Sequence, residues 1–211
     1  MPSIMVVMPI YGRKMQSVEA MRRLINTASY SAQYIAVGGV AQVDTIDLCG
    51  QIAGVQRHVA STENCTYWEA LHYATQNASG DTLVVNVAND VLPGAHWLLR
   101  AIEGYNEAND TVVGFNGDGH GEHHACHFMI SMKRIRAMGG WPIWYNHNFG
   151  DTEICTRARE QYAFYKAPWA ILYHNHPVTG AAFDDVYHKG NSTFERDRQM
   201  FLNRQERQWT F

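Results

Sequence analysis

The chain has 211 residues, of which 46% are apolar and 18% charged: enough apolar material for one buried core, and too little length for two. Its 17 basic and 20 acidic side chains leave a formal charge of −3, which argues against a protein built to wrap a nucleic-acid backbone, although protonating half of its 11 histidines would reverse that sign. Cys49, Cys65, Cys126 and Cys155 stand far apart with no C-x-x-C pair, so neither a disulfide framework nor a zinc knuckle is expected, and a reducing cytoplasm suits them.

Residues 4–10 form a continuous apolar run closed by Pro9 and a turn at Gly12, the pattern of a strand buried on both faces of a parallel sheet. The run lacks the basic start of a signal peptide, and no segment approaches the ~20 apolar residues that span a bilayer. Val18, Met21, Leu24, Ile25 and Ala28 then recur at helical spacing, and residues 34–37 close against Gly38-Gly39 as a second strand. A third strand is expected at 55–59, followed by Thr62 or Asn64 capping a helix that carries Trp68, Leu71, His72 and Thr75 on one side.

Residues 81–87 give the strongest strand signal of the chain, 88–94 read as a loop by composition, and 95–106 as a helix with Trp97, Leu98, Ile102 and Tyr105 on its apolar face. With a further strand at 111–115, the alternation predicts an α/β sheet with crossover helices. Beyond it come a Gly- and His-rich loop at 116–124, a strand at 128–132, a short helix at 133–138 stopped by Gly139-Gly140, an aromatic loop at 141–148, a helix at 151–162 and a last strand at 170–173. The polar tail 178–211 is expected to hold a helix from 193 to 208, packed through Phe194, Met200, Phe201 and Trp209.

Ligands of open parallel sheets bind beyond the carboxyl ends of the strands, which singles out three places. Asn86-Val87-Ala88-Asn89-Asp90 sets one carboxylate among amides at a strand exit, oxygen chemistry that suits a hard divalent cation, or else a turn before Pro93 that Asp90 caps. Asp151 opens a helix, where the dipole alone accounts for a carboxylate. It reads equally as a general base beside an acceptor hydroxyl, walled by Trp141, Trp144 and Tyr145. His174 and His176 alternate onto one side after the last strand, within reach of a metal or simply hydrogen-bonded. A fourth cluster, His120, His123, His124 and His127 in GDGHGEHHACH, has the composition of a metal tract without a standard zinc spacing; its glycines favour a flexible loop covering a substrate.

Taken in order, Val6-Val7-Met8-Pro9-Ile10-Tyr11-Gly12-Arg13, the run from Ala78 through Asp90 to Gly94 with Trp97-Leu98, Met138-Gly-Gly140-Trp-Pro, Gly150-Asp151-Thr-Glu153 and Tyr173-His174 resemble a family-2-type glycosyltransferase. The resemblance covers about 170 residues. It implies a single GT-A-like (Rossmann-like) mixed sheet flanked by helices with a short C-terminal helical tail. Residues 1–177 would form the transferase domain, with 1–115 the donor-binding half and 116–177 the acceptor half, and 178–211 would pack on it.

The resemblance further implies that Asp90 stands last in a D-x-D metal motif, that His174 completes the shell around Mn2+ or Mg2+, and that Asp151 is the base. Pro9, Ile10, Tyr11, Arg13, Gly38 and Asn89 would border the nucleotide-sugar donor, Tyr11 stacking and Arg13 meeting phosphate. The implied reaction is inverting transfer to a hydroxyl acceptor, a glycan or small molecule sooner than a nucleic acid. Acceptor choice falls to loops 116–127 and 141–148, to the tail, or to a second subunit in a homodimer. The chain departs from the family pattern at Ala88, where the first carboxylate of D-x-D would stand, which leaves Asn89 or Asn86, or largely the diphosphate itself, to supplement the metal shell. It departs also at Val37-Gly38-Gly39, where an acidic residue reads the base, and at Gly150, where the base has an acidic neighbour. A nucleotidyltransferase and a catalytically silent sugar- or nucleotide-binding protein are the alternatives.

Overall fold

The structure is a computed structural model and describes residues 2–175, 179–180 and 184–210; His176 lies outside them. The first half alternates as the apolar runs predict. Strands β1 (Ile4–Pro9), β2 (Gln33–Gly38), β3 (Val55–Val59) and β4 (Leu83–Asn86) are separated by helices α1 (Lys14–Thr27), α2 (Val43–Gly50) and α3 (Tyr67–Thr75). Then follow β5 (Val91–Pro93), α4 (Trp97–Gly104), β6 (Val112–Asn116), β7 (Phe128–Ser131), α5 (Met132–Ala137), α6 (Gly150–Gln161), β8 (Phe164–His174), α7 (Asp185–Asn191) and α8 (Phe194–Glu206).

The strands make one mixed sheet in the order β3-β2-β1-β4-β7-β6-β8-β5. β3, β2, β1 and β4 are parallel, β7 pairs antiparallel with β4 and β6, and β8 returns parallel to β6. Side-chain alternation divides the core. Val6 and Met8 of β1 join α1, α2 and α4 on one face, whereas Val7 joins Ile35, Val84, α3, α5 and α6 on the other. Each fully buried Leu, Ile or Phe in these layers contributes about 1.5–3 kcal/mol.

Several boundaries differ from the sequence expectation, each for a physical reason. The cap of α3 is Thr66, not Thr62 or Asn64: Thr66 accepts from the Glu69 amide (3.2 Å) and Glu69 accepts from the Thr66 amide (2.8 Å), a reciprocal capping box. The sequence reading did not include helix α2, whose buried stripe is short, Thr45, Ile46 and Cys49 with partly buried Leu48 beside them. Residues 91–93 are a strand and not a loop, since Val91, Leu92 and Pro93 pair with His174, Tyr173 and Leu172. The last strand begins at Phe164 and not at 170. Pro168 interrupts the pattern, and the ladder absorbs it as an irregularity in which Asn116 pairs with Ile171 while Phe115 pairs with Ala167.

The C-terminal helix is fastened by polar as well as apolar groups. Arg204 donates to both oxygens of Glu153 at 2.9 Å, and Tyr145 Oη donates to the same carboxylate at 2.8 Å. Asp197, fully buried, accepts the backbone amides of Asn146, His147 and Asn148 at 3.1, 2.9 and 3.0 Å. The rings of Phe194 and Phe201 pack on Phe149.

Candidate functional site

The chain leaves β1 toward β2 and β3, then returns to place β4 on the other side of β1. That reversal leaves a crevice outside the carboxyl ends of β1 and β4, the place where α/β sheets bind ligands. A cleft of about 630 Å³ lies there, lined by Pro9, Ile10, Tyr11, Arg13, Asn89 and Asp90 from these two strand ends. Asp151 and His174 line it from α6 and β8. Gly38 does not: it is buried at the end of β2, where an added Cβ would stand 3.0 Å from the Ile10 carbonyl oxygen. A larger, open depression of about 870 Å³ between Glu103–Ala108 and Tyr165 lies away from these strand ends and gathers none of the predicted residues.

Three of the predicted residues form one charged cluster. The β1–α1 turn bends through left-handed Gly12 and Arg13 (φ 60° and 51°), aiming the Arg13 guanidinium back over β4. Its Nη1 donates to Asp90 Oδ2 at 2.7 Å, and Nε and Nη2 donate to the two oxygens of Asp184 at 2.7 and 2.9 Å. His174 Nε2 lies 3.3 Å from Asp90 Oδ1, because the pairing of Val91 with His174 sets the two residues side by side. Behind them, His127 packs edge-on against His174 with ring centroids 4.7 Å apart. Neither His127 nitrogen has a hydrogen-bond partner among the described residues, and burial, then the neighbouring His174, push its pKa down to about 3, so the ring is neutral.

Asp90 Oδ1 and His174 Nε2 have the spacing of two adjacent ligands on one divalent cation, so this pair fits a metal that takes its remaining ligands from phosphate and water. Asn86 does not join them. Its Oδ1 accepts from the Phe128 amide at 2.7 Å and its Nδ2 donates to the Cys126 carbonyl and Tyr67 Oη, which corrects the expectation that it supplements the shell. The Asn89 amide nitrogen braces the β1–α1 turn through Ser17 Oγ (2.9 Å) and the Tyr11 and Gly12 carbonyls (3.3 Å each).

Across the cleft, Asp151 sits in the first turn of α6. Its Oδ1 accepts from the Thr152 amide at 2.8 Å and its Oδ2 lies 3.5 Å from His124 Nε2. Burial alone would raise the Asp151 pKa, but the hydrogen bond and charge of His124 and the Thr152 N–H outweigh it and hold the carboxylate ionised. Burial likewise disfavours a charged His124, yet Asp151 and the Cys126 thiol reverse the balance and hold the imidazole protonated.

Trp141, Trp144 and Tyr145 do not wall this site. Trp141 is buried, donating to Thr75 Oγ1 and stacked on Trp68; Trp144 and Tyr145 both donate to Glu153. The aromatic wall comes instead from Tyr67, Trp68, Phe149 and Phe194. The Trp68 indole also explains Gly150, since any Cβ there would collide with it. Gly39 is fixed in the same way, its missing Cβ facing the Glu63 and Thr62 carbonyl oxygens at 2.5 and 2.8 Å.

The histidine loop is not the loose flap its glycines suggest. Lys166 Nζ donates to Asp118 Oδ1 and to the carbonyls of His120 and His124, all at 2.8 Å. Asp118 accepts in turn from the amides of His120 and Cys126. Burial would raise the Asp118 pKa, but Lys166 and these amides lower it overall. Asp118, Lys166 and Asp197 are the site's supporting residues that the sequence reading missed, because the Lys166 ammonium and the Asp197 carboxylate reach partners 42 to 51 residues away.

No family profile and no curated protein matches the sequence. In fold, 81% of the chain corresponds to 56% of a solved mannosyltransferase from Pyrobaculum calidifontis, described in complex with GDP-Man and Mn2+, with a TM-score of 0.66 and 15% identity. The chain thus has a glycosyltransferase-like, Rossmann-type mixed-sheet fold. It spans little more than half the length of that enzyme. No helix among the described residues is long and apolar enough to cross a membrane.

Proposed function

We propose that the protein is a GT-A-type, metal-assisted inverting glycosyltransferase that moves a sugar from a nucleoside-diphosphate donor to an acceptor hydroxyl. The observation that carries this reading is the convergence of Arg13, Asp90 and His174 at the sheet's reversal point, with the ionised Asp151 on the opposite wall of the same cleft. The likeness to an enzyme described with GDP-Man and Mn2+ supports the donor class.

In this reading Pro9, Ile10 and Tyr11 border the nucleotide, Asn89 holds their turn in place, and Gly38, outside the cleft, leaves room for the Ile10 carbonyl. Arg13 exchanges its contact with Asp184 for the donor phosphates, bringing a fixed guanidinium fork to them. A divalent cation, Mn2+ or Mg2+, held by Asp90 and His174 supplies further positive charge against the leaving diphosphate. Asp151 orients the acceptor hydroxyl and takes its proton while that oxygen bonds to the sugar C1 and the C1–O bond to diphosphate breaks, which inverts the anomeric centre. Contact between the acceptor and Asp151 competes with the His124 contact, raising the basicity of the carboxylate at the moment it is needed.

The test is a screen of GDP-, UDP-, CDP- and TDP-sugars for donor turnover with Mn2+, repeated with Asp151→Asn. Turnover in the wild type that falls by about a hundredfold or more in Asp151→Asn supports the assignment. Undiminished turnover in Asp151→Asn removes Asp151 from the role of base, and no turnover of any donor favours a silent binding protein.

A further inference from the structure

The histidine loop brings together a second set of metal-binding groups that the donor site does not use. His120, His124 and Cys126 each offer a ligand atom, and these atoms all lie within 4.8 Å of one another. The two imidazoles stand edge-on with centroids 4.3 Å apart. All three residues line the cleft at the strand ends, on the Asp151 side.

We infer that His120, His124 and Cys126 form a binding site for a borderline-soft transition metal ion, Zn2+ in the first instance. Two imidazole nitrogens and a thiolate are the donor set such an ion selects over hard cations, whereas Asp90 with diphosphate oxygens suits Mn2+ or Mg2+. Tetrahedral bonds of ~2.0–2.3 Å require ligand atoms roughly 3.3–3.6 Å apart, so closure asks for side-chain movements of about 1 Å. His120, which is exposed, has room to supply them.

The backbone is already fixed for this. Lys166 grips the carbonyls of His120 and His124, and Asp118 grips the amides of His120 and Cys126, so the three ligands are carried on a tied loop. Once the ion displaces the proton from the other His124 nitrogen, Asp151, against His124 Nε2, is the carboxylate that orients the ligating imidazole from the outer shell. Three protein ligands leave one tetrahedral position open toward the cleft, the layout of a catalytic and not a structural zinc ion. The sequence spacing hides the site, because His-x3-His-x-Cys within one short loop follows no standard zinc pattern. Binding at this site stands without the sugar-transfer reading. If that reading holds, the open position adjoins the acceptor's place beside Asp151.

Cobalt serves as the probe. The full chain, stripped with a chelator, is titrated with Co2+ and followed by absorption, then back-titrated with Zn2+. The expected result is one equivalent bound with a thiolate-to-cobalt charge-transfer band that Zn2+ abolishes. The band should disappear in Cys126→Ser, and affinity should fall at least tenfold in His120→Ala, whose exposed side chain makes misfolding an improbable cause. His123→Ala, on the same loop but outside the cluster, and Asp90→Ala should both keep the band. Absence of the band in the wild type, its survival in Cys126→Ser, or unchanged affinity in His120→Ala would overturn the site. None of these outcomes depends on donor binding, which is read separately through nucleotide.

Discussion

Arg13 and Asp90 meet at 2.7 Å in the floor of the cleft, and the same guanidinium holds Asp184 with its other two donors. The cation proposed to meet phosphate is therefore shared between one enclosed carboxylate and one from the segment ahead of α7. Asp184 is 43% exposed, so its hold on Arg13 is weakened by solvent and is the contact a diphosphate displaces most easily. Asp184→Asn is expected to raise nucleoside-diphosphate affinity a few-fold, up to about tenfold, and Arg13→Ala to lower it by about tenfold or more, both read by calorimetric titration.

Glu153 is the buried hub between α6 and the C-terminal helix, bound by Arg204, Arg157, Tyr145 and Trp144. Removing Arg204 takes two charge-assisted hydrogen bonds from the carboxylate in a closed environment and leaves the longer Arg157 contact to balance it. Arg204→Ala is therefore expected to destabilise the protein by about 3–5 kcal/mol in urea unfolding. Loss of less than about 1 kcal/mol would mean that the helix is held mainly by Asp197, Phe194 and Phe201.

Gly150 is set by packing against Trp68 and not by backbone freedom. Gly150→Ala should cost about 1–3 kcal/mol in stability and lower the affinity for ligands that touch Trp68 or Asp151. Restoring an acidic residue at this position, as the resembling family has it, should be worse than alanine in the same unfolding measurement.

Tyr34 is buried, and its hydroxyl has no hydrogen-bond partner among the described residues. Burial raises its pKa to about 12 from about 10. The folded state therefore retains the phenolic proton where the unfolded state has lost it, so the stabilisation is complete below pH 10 and is lost as pH rises to about 12. The loss should approach but not exceed about 3 kcal/mol. Tyr34→Phe should remove this share of the alkaline limb, the rest coming from Tyr67, Tyr105 and Tyr145, whose phenols are also pushed up chiefly by burial, and leave neutral-pH stability unchanged or slightly higher, since it deletes an unsatisfied buried hydroxyl. An alkaline loss identical in wild type and Tyr34→Phe would contradict the contribution of Tyr34.

The parts of the fold legible in sequence are those whose signal is local. β1, β2 and β4 are short apolar runs bounded by turn residues, and α1 and α4 repeat their apolar positions at helical spacing. β5 is not legible, because Val91–Pro93 becomes a strand only against Leu172–His174, some eighty residues on. The start of β8 is masked by Pro168, whose strand-breaking chemistry the sheet accommodates with a register shift. At the site, Asp90, Asp151 and His174 could be picked out by position after a strand or before a helix. The pairing of Arg13 with Asp184, the Lys166 clamp on the histidine loop and the true aromatic wall all depend on tertiary contacts that no local pattern encodes.

The central claim is that Asp90 and His174 hold a divalent cation that takes part in binding a nucleoside diphosphate. It is tested most directly by titrating the nucleoside diphosphates GDP, UDP, CDP and TDP into the protein with and without Mn2+, for the wild type and for Asp90→Ala. The account predicts that Mn2+ strengthens binding of at least one of them by tenfold or more in the wild type and has no effect in Asp90→Ala. Equal Mn2+ enhancement in both proteins, or no binding of any of the four, would contradict it.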